Sequence, residues 1–580
     1  MKKYLLLFLL VVPVFSIAQV AIKDTTISWH TFKYSLNADN TVASSSTEPN
    51  DTVSVTFRGY VLENEYLKII LVPEYGGRIL SMIYKPTGHE QLYQNPVGSP
   101  YGINQGWFYY NWLMVYGGIF PTLPEPEHGK AWFLPWQFEI TKNTSDTVRC
   151  NMTWRDTVVH KSTYSQSFTY GLTNIKCDFT LTLVRGASAL EADITLLNDA
   201  NTPKNYEYWT CLTLAPGSEP GNPKTTSGAE IISSTQTVKI PSWYPDIIKQ
   251  EKAISGQKGI YTFNKLRMWE NWTNDGIAYA WDDEKANYWG VINHDNQEGI
   301  IRVADNIDYT PGLKMWAWGY SQSQDIDYFA NPLVVRRPYI ELWAGHSKEF
   351  FASAQFEANS KKTWKEIYFP TVGLTNVTNA NDEIVADFEI DSSNTSLAAK
   401  LNFITAFPNN DYNLLLEITG QNPQVLFNQS IVPDPLNGNN ITINLPANQT
   451  WISGDSLVCK IGNSEKENCL NASISLNGIT TGINEYITDI PKNFNLFQNY
   501  PNPFNPETII SFNLIKRELA TLKIYDILGR EVAVLVNEIK NPGNYRVVFD
   551  ASSVGISSGI YFYRLITPSY SLTRKMSYIK

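Results

Sequence analysis

Short apolar or alternating runs, each closed off by Gly, Pro, Asn or Asp, follow one another along this chain from about residue 20 to its end. Tyr66 to Val72, Phe179 to Val184, Glu191 to Leu197 and Leu414 to Ile418 are examples. Runs of this length between turn residues form strands, and long stretches with the 3.6-residue apolar period of a helix are scarce. Many short strands at close spacing build sandwiches rather than alternating β-α units. The sequence therefore predicts an all-β chain, and 580 residues leave room for about three or four domains.

Composition narrows the function classes. Hydrophobic residues make up 43% and charged residues 18%, so the chain is globular. The formal net charge of −10 comes without the clustered Lys and Arg that displace counterions from a phosphate backbone, which excludes nucleic acid as a partner. Aromatic residues reach 13%, with 17 Trp and 33 Tyr. Such rings favour strands in any case, and they also suit a sugar binder, because pyranose C–H faces stack on them.

The N-terminus carries an address. Lys2 and Lys3 precede an apolar run from Tyr4 to Phe15, and Ser16-Ile17-Ala18 offers a small-x-small cleavage site. The run is too short to span a bilayer comfortably and reads as a signal peptide over residues 1–18. No transmembrane segment is expected after its removal. The five cysteines, Cys150, Cys177, Cys211, Cys459 and Cys469, lack C-x-x-C spacing. No zinc site, other metal site or cofactor is therefore expected. A Cys459–Cys469 disulfide stays open for an exported chain, and the odd count leaves at least one thiol over.

The texture of the chain divides it. Residues 19–370 are rich in Trp and Tyr and form one expected large β-domain. From 371 to 480 Trp nearly vanishes, and segments such as Glu383 to Phe388 alternate with period two, as in an immunoglobulin-like sandwich. Residues 481–493 read as a linker to a final region at 494–580.

That final region carries four motifs in fixed order. They are Phe497-Gln498-Asn499-Tyr500-Pro501-Asn502-Pro503-Phe504-Asn505-Pro506, Leu522-Lys523-Ile524-Tyr525-Asp526-Ile527-Leu528-Gly529-Arg530, Gly543-Asn544-Tyr545, and Ser558-Gly559-Ile560-Tyr561-Phe562-Tyr563-Arg564-Leu565. The prolines keep the entry segment extended, Gly529 supplies a turn, and Tyr561, Tyr563 and Leu565 fall on one strand face. The region resembles the C-terminal sorting domain of the type IX secretion system. The resemblance implies the type IX translocon as a partner, and a protein that is secreted or displayed at the cell surface.

Three segments of the large domain carry a second resemblance. Val72-Pro73-Glu74-Tyr75-Gly76-Gly77-Arg78-Ile79, Pro124-Glu125-Pro126-Glu127-His128-Gly129-Lys130-Ala131-Trp132 and Tyr339-Ile340-Glu341-Leu342-Trp343-Ala344-Gly345 occur in this order. Together they resemble aldose 1-epimerase (galactose mutarotase-like) domains over about residues 55 to 370. Pro311 to Gly319 is closer to an uncharacterised bacterial family related to them. The resemblance implies a large antiparallel β-supersandwich, with two immunoglobulin-like sandwiches after it. It also implies Glu341 as a catalytic base and His128 as an acid or sugar-binding residue. Mutarotation needs both within reach of one sugar, with their pKa values pushed apart. Authentic epimerases carry a second histidine where this chain has Tyr206 to Thr213, a stretch without one; His294 is the candidate replacement.

Period two places Lys314, Trp316 and Trp318 on one strand face, a floor for a saccharide beside a cation. Arg78, Trp132 and His294 complete the expected substrate-binding set. Each residue also has a purely structural reading. Glu341 could pair with Arg336 or Arg337, His128 could be a loop residue, the Trp side chains could be core, and Gly76-Gly77 could be only a tight turn. The leading function is an exported carbohydrate-binding protein. A sugar-active enzyme using Glu341 and His128, whether epimerase, hydrolase or lyase, is the first alternative, and a structural or adhesion protein the second.

Overall fold

In the computed structural model of the chain, Lys176–Val184 and Leu190–Asn198 alternate residue by residue between buried and half-buried. This is the signature of strands with one face on a core. The structure describes residues 19–36, 42–45, 51–94, 97–98, 117–126, 129–158, 170–242, 253–254, 256–273, 276–282, 286–317, 326–327, 335–336, 339–391, 397–446, 451, 453–477, 494–499, 501–514, 518–540, 543–552, 554–568 and 570–579. The expected signal peptide, the expected linker, His128 and Trp318 lie outside the described residues.

Two sheets make the large region. A thirteen-stranded sheet runs through Gly276–Ala280, Gly312–Ala317, Ile340–Gly345, Trp209–Ser218, His89–Leu92, Arg78–Tyr84, Leu67–Val72, Thr52–Glu63 and Ala21–Phe32, with Ile119–Thr122 bridging Trp209–Ser218 and Arg78–Tyr84. An eight-stranded sheet runs through Gln137–Asn143, Thr147–Arg155, Lys176–Val184, Leu190–Asn198, Ser360–Val372, Glu298–Ala304, Tyr288–Asn293 and Ala229–Ser233. Among the described strands the ladders are antiparallel, except where Ala21–Phe32 meets Val97–Gly98. The fold is all-β, as the spacing of turn residues predicts. The one described helix is a single 3-10 turn, Trp269–Asn271.

A polar cluster crosses the layer between the sheets. Thr210 on one sheet donates to Glu366 on the other at 3.0 Å. The same carboxylate takes Arg302 Nε at 2.7 Å, Tyr368 OH at 2.8 Å and Trp364 Nε1 at 3.0 Å. Burial alone would raise the Glu366 pKa, but Arg302 and these donors hold it below its ordinary value. Arg302 and Glu366 stand on adjacent strands of the eight-stranded sheet, so the Thr210 hydroxyl carries the cluster across the layer.

Two smaller sandwiches follow. Ile384–Asp391 and Ala398–Thr405 belong to one sheet, facing a second that holds Tyr412–Thr419 and Ser456–Asn463. The side chains over 384–388 alternate in direction but not in exposure, because every residue there is buried. Ile384, Ala386 and Phe388 fill the local core, while Val385 points outward into an apolar seam with Ile301, Val303, Ile367 and Phe369 of the large region. Tyr66 OH to Asn409 Oδ1 at 2.7 Å and Ser188 Oγ to Thr405 O at 2.7 Å tie the same seam. All five cysteines are free thiols; Cys459 lies opposite Ala472 in the ladder, not Cys469.

The last sandwich explains why its motifs travel together. Tyr563, fully buried, donates to Phe497 O at 2.7 Å and accepts from Asn499 N at 2.7 Å. Asn499 Nδ2 then reaches Pro501 O and Thr508 Oγ1. The final-strand aromatic and the proline-rich entry thus form one hydrogen-bonded unit. Gly529 turns with φ of 77°, and Asp526 accepts from the N–H groups of Leu528 and Arg530.

Candidate functional site

Residues directly opposite each other in an antiparallel ladder share a sheet face. In the strand Ile340–Gly345, Glu341 lies opposite Trp316 on one side and Thr213 on the other, and Trp343 lies opposite Lys314 and Cys211. The intervening positions belong to the inner face, where Thr210 contacts Glu366. Glu341, Trp343, Lys314, Trp316, Cys211 and Thr213 therefore lie on the face of the large sheet turned away from its partner sheet.

The contacts on that face converge on Glu341. Trp343 Nε1 donates to Oε2 at 2.8 Å and Tyr339 OH donates to Oε1 at 3.1 Å. Lys314 Nζ lies 3.7 Å from Oε2, with both side chains nearly buried. The ammonium also sits over the rings of Trp343, at 4.1 Å, and Phe350, at 4.8 Å. Trp316 packs against Tyr339 at 5.5 Å, and Tyr339 stacks on Tyr93 at 4.0 Å. Lys314 and Trp316 share this face, and the Lys314 ammonium rests on Trp343 and Phe350. Glu341 is matched by Lys314; the side chains of Arg336 and Arg337 lie outside the described residues.

Arg78 reaches the same neighbourhood. Its guanidinium lies over the ring of Phe120, which is opposite Cys211 in the ladder. Burial pushes the Cys211 thiol up, Glu341 adds to the rise, and Lys314 and Arg78 oppose it, so three charges act on one thiol. The Arg78 nitrogens Nε, Nη1 and Nη2 donate to the carbonyls of Tyr75, Gly117 and Trp132 at 2.8, 2.8 and 2.6 Å. Arg78 thus pins three segments beside the site. The two preceding glycines make this approach feasible: Gly76 and Gly77 have φ of 73° and 56°. A Cβ on Gly76 would come 2.0 Å from Trp132 O, and one on Gly77 would come 2.4 Å from the Trp136 ring.

Other expected residues are placed elsewhere. Trp132 is fully buried, edge-on to Tyr75 and Phe133. His294 follows a strand of the eight-stranded sheet and its Nε2 lies 2.7 Å from Glu230, so it is not brought to the Glu341 face. Among the described residues no group of three His, Cys, Asp or Glu side chains could hold a metal ion.

Sequence reasoning passed over several groups near this end of the sheet. Trp343 and Tyr339 were detectable, since both lie two positions from Glu341. The buried Lys130 was not; its Nζ meets Asp156 at 3.2 Å and Glu125 at 3.6 Å. Burial pushes the Glu125 carboxyl up to about 8 in spite of Lys130. His346 was also missed. Its Nδ1 pairs with Tyr206 OH at 2.8 Å, and its shielded Nε2 has no hydrogen-bond partner among the described residues. Burial, with Lys362 nearby, pushes the imidazole down to about 3.

Comparison with known proteins separates the ends of the chain. Residues 498–579 match the family described as Secretion system C-terminal sorting domain. The last region is a secretion sorting domain. This sorting domain directs the chain through type IX secretion to the cell surface or beyond. Among the described residues no helix is long and apolar enough to cross a membrane. Upstream of the sorting domain, residues 41–175 match Domain of unknown function (DUF5107).

Among solved structures, a TPR-domain containing protein from Parabacteroides distasonis is 17% identical with a TM-score of 0.46, covering 61% of this chain and 55% of its own. The chain thus spans little more than half the length of that protein. A galactose mutarotase-like protein from Lactobacillus casei is 11% identical with a TM-score of 0.34, covering 54% of this chain and 100% of its own. One from Clostridium acetobutylicum is 8% identical with a TM-score of 0.37, covering 61% and 99%.

Proposed function

We propose that the large two-sheet region, taken as residues 19–370, binds carbohydrate on the Glu341 face, and that the chain works outside the cell after its signal peptide is removed. The observation that carries this reading is the convergence of Glu341, Lys314, Trp343, Trp316 and Tyr339 on one face of the large sheet. Saccharide sites combine aromatic surface with a few fixed hydrogen-bonding groups, and this face has both. Trp343 and Tyr339 orient the carboxylate, so a sugar hydroxyl would meet an acceptor already held in place. Lys314, nearly buried beside it, balances the charge of the carboxylate. Arg78 serves as a positioning residue. The resemblance of its segment brings His128 into the proposal as a sugar contact or acid.

The test is a glycan array probed with the full chain, Glu341→Gln and His128→Ala. Both changes should weaken whatever glycan signal the parent gives; unchanged signals would remove these residues from the site. An NMR anomer-exchange measurement on free sugars then separates a binder from an epimerase. Exchange above background that disappears in Glu341→Gln would favour the enzyme.

A further inference from the structure

A concavity lies away from the Glu341 face, where residues of the middle sandwich meet the eight-stranded sheet. Its volume is about 440 Å³, and its lining includes Tyr309, Ile307, Ile367, Asn287, Asp382 and Lys365. That volume falls within the range of roughly 300–1,000 Å³ for small-molecule sites, which favour domain junctions. Two apolar side chains are held open beside it: Ile307 is 69% exposed and Tyr309 39%.

The loop that presents them is fixed from below. Asp305 Oδ1 accepts from the N–H groups of Ile307 and Asp308 at 3.1 and 2.9 Å. The buried Arg302 donates to Asn306 Oδ1 at 2.8 Å and Thr310 Oγ1 at 3.2 Å, so both flanks of Tyr309 are anchored in the inter-sheet layer. A ring so presented loses little further freedom when a ligand stacks on it.

We propose that this cleft is a second saccharide subsite, which takes a neutral pyranose of a glycan chain. Tyr309 and Ile307 would meet the C–H face of the sugar, and the Asn287 amide and Asp382 carboxylate its hydroxyls. The charge pattern selects a neutral sugar over an acidic one. Among the lining charges, Lys365 is paired with Glu191 at 2.7 Å and Asp382 with Lys466 at 3.5 Å, which leaves the Asp305 carboxylate to disfavour an acidic sugar. The subsite stands apart from the Glu341 face, and together the two would let one molecule hold a polysaccharide at two points.

Affinity electrophoresis of the full chain in gels containing laminarin, pullulan, xyloglucan or polygalacturonate tests this. At least one neutral polysaccharide should retard the parent. Tyr309→Ala and Ile307→Ser should raise the apparent Kd by about tenfold or more, and Tyr309→Phe should keep it within about twofold. Ile307→Ser guards against misfolding, since its side chain is mostly in solvent. The proposal is overturned if no neutral gel retards the parent, if only polygalacturonate does, or if both variants run with the parent. Glu341→Gln in the same gels separates the two sites. Loss there alone sinks the cleft and leaves the Glu341 reading standing; loss in the Tyr309 and Ile307 variants alone does the reverse.

Discussion

Trp343 Nε1 donates to Glu341 Oε2 at 2.8 Å from two positions along the same strand face, while Lys314 lies over the Trp343 ring. One indole therefore orients the carboxylate with its edge and holds the cation with its face. Trp343→Phe would keep a ring beneath Lys314 but strip the N–H, leaving a buried acceptor one donor short. A loss of about 1–3 kcal/mol is expected, together with weaker glycan binding. Thermal unfolding and titration calorimetry on the same sample check both parts.

Lys314 and Glu341 should be energetically coupled. Lys314→Met leaves a nearly buried carboxylate without its cation and should cost about 3–5 kcal/mol. Adding Glu341→Gln to Lys314→Met should cost less than the sum of the single changes. Denaturant unfolding of the four proteins closes the cycle; additive losses would show that the 3.7 Å approach has no energetic content.

Two glycines with similar backbone angles should respond very differently. Gly76 and Gly88 have φ of 73° and 77°, but a Cβ at Gly76 would strike Trp132 O while nothing lies within 4 Å at Gly88. Gly88→Ala bears only the left-handed backbone penalty of about 1–2 kcal/mol. Gly76→Ala adds a backbone clash under Arg78, and we expect it to prevent folding or to cost several times as much. Soluble yield and melting temperature compare them directly.

The pH dependence has two limbs of opposite sign. His346 stays neutral in the fold down to about 3, whereas the unfolded chain takes up that proton near 6.5. The unfolded state binds more protons in this window, so stability falls as pH drops from 6.5 toward 3. Glu125 behaves in reverse, because the fold keeps a proton up to about 8 that the unfolded chain has released. Stability is therefore lost as pH rises from about 4.5 toward 8. His346→Gln should flatten the acid limb and Glu125→Gln the alkaline one in melting curves taken across pH.

These cases show how far the sequence could be read. Period two alone puts Lys314 and Trp316 on one face and Glu341 with Trp343 on another strand's face, and it needed only strand pairing to join them. The sorting motifs were equally legible, since Tyr563 and Asn499 sit within a short, ordered region. His294 could not be placed, because joining one sheet or the other depends on long-range pairing that no local pattern encodes. Val385 misled for a related reason: its outward face is buried by another domain, which erases the alternation a half-exposed strand would show.

That same seam should make the large region and the middle sandwich melt together. Val385→Asp would put a carboxylate among Ile301, Val303 and Phe369. Calorimetry should then show the shared transition splitting or falling by several degrees, whereas an unchanged trace would mean the two units are energetically independent.

The most direct measurement is a structure of the full chain bound to the oligosaccharide that ranks first on the array. The reading of the Glu341 face requires a sugar hydroxyl within hydrogen-bond distance of the Glu341 carboxylate, with an aromatic ring of that face against the pyranose. A sugar bound only elsewhere, with Glu341 still enclosed by Tyr339, Trp343 and Lys314 alone, would contradict it.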